Sequence, residues 1–252
     1  MEQRLIQTLA EWLLEAQHTV ILTGAGMSTE SGLPDFRSNQ GLWYGRDPQE
    51  IASVYAIKHN REDFVDFYRW RIKEVDKYKP HIGHHLLTRW QRQGLVQRII
   101  TQNVDGFHHQ AESHDVIELH GSLRELYCMD CGHRTEAKRY LQEKGEVCPQ
   151  CGGFLRPDIV LFGEMLDTQA IETAFAEARQ AELFIVLGSS LQVSPANMLP
   201  MEAKEAGAKL AIVNLHDTLL DPQADLLIEG KVGEVLQKTD EWLNRKRNFG
   251  MV

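Results

Sequence analysis

All four cysteines of this 252-residue chain stand in one short stretch, as Cys128-x2-Cys131, sixteen intervening residues, then Cys148-x2-Cys151. Each pair can bring two thiolates from one turn onto the same tetrahedral ion, and Gly132, Gly152 and Gly153 allow the tight backbone that such knuckles need. The spacing predicts a zinc ribbon holding one ion and argues against unrelated buried cysteines or a redox pair. Four thiolates close the coordination shell, so the zinc is expected to be structural; a catalytic zinc keeps a position open for water. The ribbon has mixed charge and no set of aromatic side chains for stacking, so stable nucleic-acid binding is not expected. A formal net charge of −9 agrees, and suits a partner that presents lysines.

The remainder reads as an α/β protein. Short apolar runs predict parallel strands at Thr19–Thr23, Val96–Thr101, Val116–Leu119, Leu183–Leu187, Leu210–Val213 and Leu226–Glu229, and helical patterns such as Leu86–Gln93, Thr168–Ala181 and Met198–Ala206 lie between them. This alternation predicts a Rossmann-like doubly wound sheet. Two segments break it: residues 41–79, with two helical stretches, and residues 123–155, with the cysteines. They are expected to form a smaller domain beside a sheet domain made of 1–40, 80–122 and 156–252, with a cleft between the two. The hydrophobic fraction of 42% supplies a proper core. No apolar run spans a bilayer, and the N-terminal helix pattern carries acids instead of a signal peptide's uncharged centre, so a soluble cytoplasmic protein without membrane association is expected.

Three stretches carry candidate chemistry. Thr19–Thr23 runs straight into Gly24-Ala25-Gly26 and then into small and hydroxyl residues that can open a helix. A strand, a glycine turn and a helix N-terminus suit a pyrophosphate, although Thr29 stands where a dinucleotide fingerprint has its third glycine, and a plain structural turn remains the alternative. The loop continues as Gly32-Leu33-Pro34-Asp35-Phe36-Arg37, with a ring and a cation that suit a bound nucleotide. Thr101-Gln102-Asn103-Val104-Asp105 follows the second strand and lies at the sheet's C-terminal edge, as functional side chains or as turn and cap residues. The third strand delivers His120-Gly121 to the same edge, where an imidazole suits a general base at neutral pH. The other histidines, including His81, His84 and His108, have no comparable placement.

These stretches, GAGMSTESGLPDFR, TQNVD and ELHG, resemble the sirtuins, the NAD-dependent protein-lysine deacylases, and in particular their bacterial and archaeal catalytic core. The four-cysteine module, RPDIVLFGE at 156–164 and GSSLQVSP at 188–195 extend the resemblance from about Val20 to Asn214. The resemblance implies NAD contacts from Gly24, Ala25, Gly26, Thr29, Phe36 and Arg37, a nicotinamide pocket of Gln102, Val104 and Asp105, and a water held by Asn103. It gives the phosphates to Gly188, Ser189 and Ser190, and the adenosine to Asn214, Leu215 and Val232. His120 would take a proton from a ribose hydroxyl. Val160, with Phe162-Gly163-Glu164, would pair with the backbone of an acyl-lysine protein substrate bound as an extended peptide. The zinc plays no part in these steps.

The expected activity is NAD-dependent deacetylation of protein lysine, with transfer of the acyl group to ADP-ribose and release of nicotinamide. Tyr68 and Arg71 share a helix face, and some sirtuins that remove succinyl or malonyl groups carry a Tyr-x-x-Arg pair at a similar place; the alternative is a charged amphipathic helix with Arg71 in solvent. Mono-ADP-ribosyl transfer, a hydride-transferring NAD oxidoreductase and a non-enzymatic zinc-ribbon adaptor are the competing functions.

Overall fold

The computed structural model describes residues 2–36, 41–45 and 47–249. Its centre is a six-stranded parallel sheet in the order β3-β2-β1-β7-β8-β9, built from β1 (Thr19–Thr23), β2 (Arg98–Thr101), β3 (Val116–Glu118), β7 (Leu183–Leu187), β8 (Lys209–Asn214) and β9 (Leu226–Glu229). Every residue of β1 and β7 is buried, which is why both read as unbroken apolar or β-branched runs with no alternation. Helices cover both faces. On one side α1 (Glu2–Glu15), α5 (Ile82–Arg92) and α9 (Val232–Phe249) pack Leu9, Leu13, Leu87, Trp90 and Leu236 against Ile21, Ile99 and Ile185. On the other, α7 (Thr168–Gln180) and α8 (Leu199–Glu205) pack Ala174, Ala178, Leu199 and Ala203 against Val20, Leu22, Val186 and Ile212. Asp240 of α9 accepts from the Trp90 indole at 3.0 Å and pairs with Arg89, so the apolar face of α5 is pinned to α9 by a buried carboxylate.

The strand order reverses direction between β1 and β7. At such a switch point neighbouring loops leave on opposite faces and open a crevice at the strands' C-terminal ends. The glycine loop after β1 and the Gly188–Leu191 loop after β7 form its walls. They approach closely: Gly26 N–H donates to Gly188 O at 2.8 Å, and a Cβ on Gly188, whose φ is +63°, would lie 2.4 Å from the Gly26 carbonyl carbon.

A second core stands beside the sheet. Residues 41–79 hold three helices, α2 (Pro48–Ile51), α3 (Val54–His59) and α4 (Arg61–Val75), where two were expected. The short α2 is separated by the caps Asp47 and Ser53, whose side chains accept from Gln49 and Ala56 amides. These helices pack Ala56, Phe64 and Ile72 onto a three-stranded antiparallel sheet, β5-β4-β6, formed by β4 (Gly121–Cys128), β5 (Arg134–Glu136) and β6 (Leu155–Ile159). The β4–β6 pairing runs across the boundaries expected at 122/123 and 155/156. The helix expected to open after Gly26 is absent; two 3₁₀ turns, Ala25–Met27 and Thr29–Ser31, take its place because the loop turns back under the Gly188 loop instead of running away from the strand.

Candidate active site

The crevice is built from hydrogen bonds that converge on Ser28, a residue the sequence reading left unassigned. Its hydroxyl donates to Asp105 Oδ2 at 2.7 Å and accepts from Asn103 Nδ2 at 3.2 Å. Asn103 also donates to Gly24 O at 2.9 Å, while its amide bonds Thr101 Oγ1 at 3.0 Å. Among the described residues the Asn103 Oδ1 atom is buried with no partner, an acceptor held in the crevice. Asp105 Oδ1 accepts from Phe107 N at 2.9 Å. Burial pushes the Asp105 carboxyl above its usual range, against the opposing effect of the Phe107 and Ser28 bonds.

His120 follows β3, and its Nδ1 lies 2.9 Å from Gln102 O. A carbonyl only accepts, so Nδ1 carries the hydrogen and the basic lone pair is on Nε2. The backbone holds the ring in place, since His120 O accepts from Val160 N at 2.9 Å. Gly121 lets the chain approach closely at this point: a Cβ there would stand 2.2 Å from Asp158 O. Gln102 Nε2 donates to Ser189 Oγ at 2.9 Å, linking the β2 loop to the β7 loop. Thr29 hydroxyl bonds Gly26 O, and Ala25 begins the first 3₁₀ turn. Ser190 follows in the Gly188 loop, and Val104 packs on the second core with its carbonyl accepting from Leu123 N. Further along the edge, Asn214 ends β8 beside the exposed Leu215, and the buried Val232 opens α9. Arg37 lies outside the described residues.

On the second core's side, Phe36 stacks on Trp43 at 5.9 Å, and Trp43 meets the edge of Phe162 at 6.1 Å. Phe162 is half exposed, but its N–H donates to Ala52 O and its carbonyl accepts from Val54 N, both at 3.1 Å. The expectation that Phe162 pairs its backbone with a peptide is therefore corrected: α3's entry already occupies it, and Phe162 offers only its ring. Gly163 follows with φ +90°, and Glu164 Oε2 closes the turn by accepting from Leu161 N and from Arg156. Arg71 is 6% exposed instead of solvated. Its guanidinium lies 5.9 Å from the Phe36 ring centre, and among the described residues no carboxylate comes within ion-pair distance of it. Tyr68, one turn earlier, is buried too, and burial raises its phenol well above the usual value.

The four sulfurs come together, with all Sγ atoms within 4.8 Å of one another, Cys128–Cys151 at 3.5 Å and Cys131–Cys148 at 3.7 Å. Thiolates about 2.3 Å from a tetrahedral zinc stand roughly 3.8 Å apart, so the set fits one ion. Amides of Gln150 and Gly153 point at the Cys148 and Cys151 sulfurs at 3.4 Å, as suits charged thiolates.

Beneath the loop lies a histidine cluster that no spacing in the sequence announces. His84 is fully buried with neither ring nitrogen bonded, and His108 donates from Nε2 to Thr23 Oγ1 at 3.0 Å. Their rings are 5.1 Å apart. Burial, then the neighbouring imidazoles, holds His84 well below its usual value and brings His108 down to about 3. Both fold neutral, and an unfolded chain would bind protons that the native state refuses. Their stabilisation is thus present above the unfolded pKa near 6.5 and is lost as the pH falls toward the folded value. Urea unfolding is expected to show stability falling between pH 7 and pH 5, by about 2 kcal/mol for His108 alone and further for His84. A flat profile across that window would contradict the burial of neutral rings.

The comparisons with known proteins follow this geometry. The Sir2 family model matches residues 24–195. The chain belongs to the Sir2 family. It is 55% identical over 238 residues, 94% of this chain and 98% of the relative, to a protein of Geobacillus kaustophilus named NAD-dependent protein deacetylase 1. Among solved structures, a mutant Sir2 homologue with ADP-ribose superposes with a TM-score of 0.92 at 36% identity, covering 96% of this chain and 98% of that one. A Sir2 protein with p53 peptide and NAD⁺ superposes at 0.84 and 35% identity, covering 98% and 99%. This sirtuin thus shares its fold with proteins whose structures hold ADP-ribose or NAD⁺.

Proposed function

We propose that the chain is an NAD-dependent protein-lysine deacetylase that passes the acyl group to ADP-ribose and releases nicotinamide. The observation that carries the reading is the convergence of Asn103, Asp105 and Ser28 on the glycine loop, with Asn103 Oδ1 left as a buried acceptor and His120 held on Gln102 O of the same loop as Asn103. The relatives' names and the ADP-ribose and peptide complexes of similar structures support it.

The crevice suits NAD, whose bound form supplies a ribose carbon with nicotinamide as its leaving group. The Gly24–Gly26 and Gly188–Ser190 loops bring backbone amides and hydroxyls to its phosphates. Asp105 accepts from the carboxamide in a pocket with Gln102 and Val104, and Ser28 sets the carboxylate's orientation. Asn103 holds a water. Asn214, Leu215 and Val232 take the adenosine, and Phe36 covers the reacting ribose. His120 Nε2 receives a proton from a ribose hydroxyl, and the Nδ1 bond to Gln102 O keeps that nitrogen basic. Val160 and Gly163 offer backbone to an extended acyl-lysine peptide, with the Phe162 ring beside it. The zinc holds the second sheet together and takes no chemical part. We divide the chain as 1–40, 80–122 and 156–252 for the NAD domain, with 41–79 and 123–155 as the smaller one. Cytoplasmic residence is proposed from four free thiols gathered for a metal instead of bridged; no helix among the described residues is long and apolar enough to cross a membrane.

The reading is tested by following an acetyl-lysine peptide with NAD, with NADH and with neither. Acetyl loss is expected only with NAD, with nicotinamide released only when the peptide is present. Accumulation of reduced nicotinamide cofactor would mark a hydride-transferring enzyme, and a peptide gaining ADP-ribose would mark a mono-ADP-ribosyltransferase.

Arg71 favours a second reading, removal of succinyl or malonyl groups by the same site. A buried guanidinium with no carboxylate at ion-pair distance among the described residues is unfavourable by itself and is relieved by a ligand carboxylate, with Tyr68 as a second donor. Arg71→Met is expected to raise KM for succinyl-lysine by the equivalent of about 1.5–3 kcal/mol and to spare acetyl-lysine. Equal effects on both substrates would remove Arg71 from acyl selection.

A further inference from the structure

We infer that His81 is a positioning residue for the cofactor loop, acting on Ser28 through the Met27 carbonyl; the inference rests on the assignment of that loop to NAD. His81 stands immediately before α5 and caps it, its Nδ1 accepting from Gly83 N at 3.1 Å. A neutral imidazole that accepts at Nδ1 carries its hydrogen on Nε2. That nitrogen lies 2.6 Å from the Met27 carbonyl, 54 residues earlier in the chain. Capping needs only the first of these bonds, and an asparagine meets the same need. The second bond does something else.

The ring occupies a slot with two glycine walls. A Cβ on Gly83 would lie 2.6 Å from the imidazole Cε1, and one on Gly233 would lie 2.8 Å from Nδ1. Glu30 closes the slot from the loop side, its Oε2 accepting from Gly233 N at 2.5 Å at the start of α9. Met27 and Glu30 are therefore tied down on either side of Ser28 and Thr29. Ser28 is the residue that orients both Asp105 and Asn103. With the Met27 carbonyl released, Ser28 would lose its fixed backbone while its hydroxyl still had two partners to satisfy, and the nicotinamide end of the crevice would loosen. The bond to Met27 thus preorganises the pocket before NAD arrives.

Two substitutions separate the two bonds, made in the full-length zinc-loaded protein. His81→Asn keeps an acceptor where Nδ1 stands and is too short to reach Met27. His81→Gln can place an amide donor near the Nε2 position and loses the short acceptor. NAD affinity by calorimetry, KM for NAD at saturating acyl peptide, and the thermal midpoint of the NAD-free protein are measured for each. His81→Asn is expected to keep the wild-type midpoint while weakening NAD affinity and raising KM about five-fold, the worth of one hydrogen bond. His81→Gln is expected to do the reverse, with affinity near wild type and a lowered midpoint. A purely structural cap would be rescued by Asn in every measurement, and that result would overturn the inference, as would a Gln variant that folds and binds NAD no better than Asn. Should Gln fail to fold, Asn against wild type decides alone. A wild-type protein that binds no NAD would remove the cofactor assignment itself, a failure distinct from wild-type binding that is indifferent to position 81.

Discussion

His120→Ala is expected to slow acyl removal by about 10²–10⁴-fold, the usual cost of removing a general base, with the fold and NAD affinity largely intact. The ring's contacts explain the separation. Nδ1 is bonded to Gln102 O and the backbone carbonyl to Val160 N, and Nε2 carries the lone pair that proton transfer needs. Departure of nicotinamide precedes that proton transfer, so labelled nicotinamide is still expected to exchange into NAD when acyl peptide is present. Asp105→Asn is expected to differ. It replaces a carboxylate that accepts from Ser28 and Phe107, disturbing the nicotinamide pocket and therefore the exchange itself. Deacylation and exchange measured side by side decide the matter. A His120→Ala protein deacylating near the wild-type rate would falsify the base assignment, and equal loss of exchange in both variants would move His120 to an earlier step.

Cys148→Ser, or removal of the metal by a chelator, is expected to unfold the second sheet and abolish activity. Cys128 ends β4 and Cys148 and Cys151 precede β6, so the ion joins the two strands that pair across the whole small sheet. The module between them is short, with few apolar side chains of its own, and its ordering entropy is offset chiefly by metal binding. The metal is expected at one equivalent of zinc per chain. A stable, active Cys148→Ser protein, or metal analysis finding no zinc, would contradict the structural role.

The parallel sheet was legible because burial on both faces leaves a plain signature. Thr19–Thr23 and Leu183–Leu187 occupy the residues that their apolar runs mark. The second strand begins two residues later than its run, at Arg98, because Val96 packs on the core from the loop instead. The antiparallel β4-β5-β6 sheet was not legible as strands: GSLRELYC mixes charged and apolar residues, and its register shifts between Ser122 and Leu126. Of the site, TQNVD and His120 could be placed because they end strands, and strand ends share an edge. Ser28, His81, His84 and His108 could not, since what unites them is the fold of one loop over α5 and α6 (Phe107–Gln110). Arg71 sits in a charged helix and reads as solvated until Phe36 and the second core close around it. A loop signal of Gly-x-Gly with a hydroxyl two residues on, as in Gly24-Ala25-Gly26-Met27-Ser28, is the one hint that Ser28 would face the crevice.

The central claim is that the acyl group leaves lysine for ADP-ribose and not for water or a protein side chain. Incubation with an acetyl-lysine peptide and NAD, followed by mass analysis of every product, measures this directly. Nicotinamide, deacetylated peptide and O-acetyl-ADP-ribose are expected in equal amounts. Free acetate formed without consumption of NAD, or nicotinamide formed while the peptide keeps its acetyl group, would contradict the account.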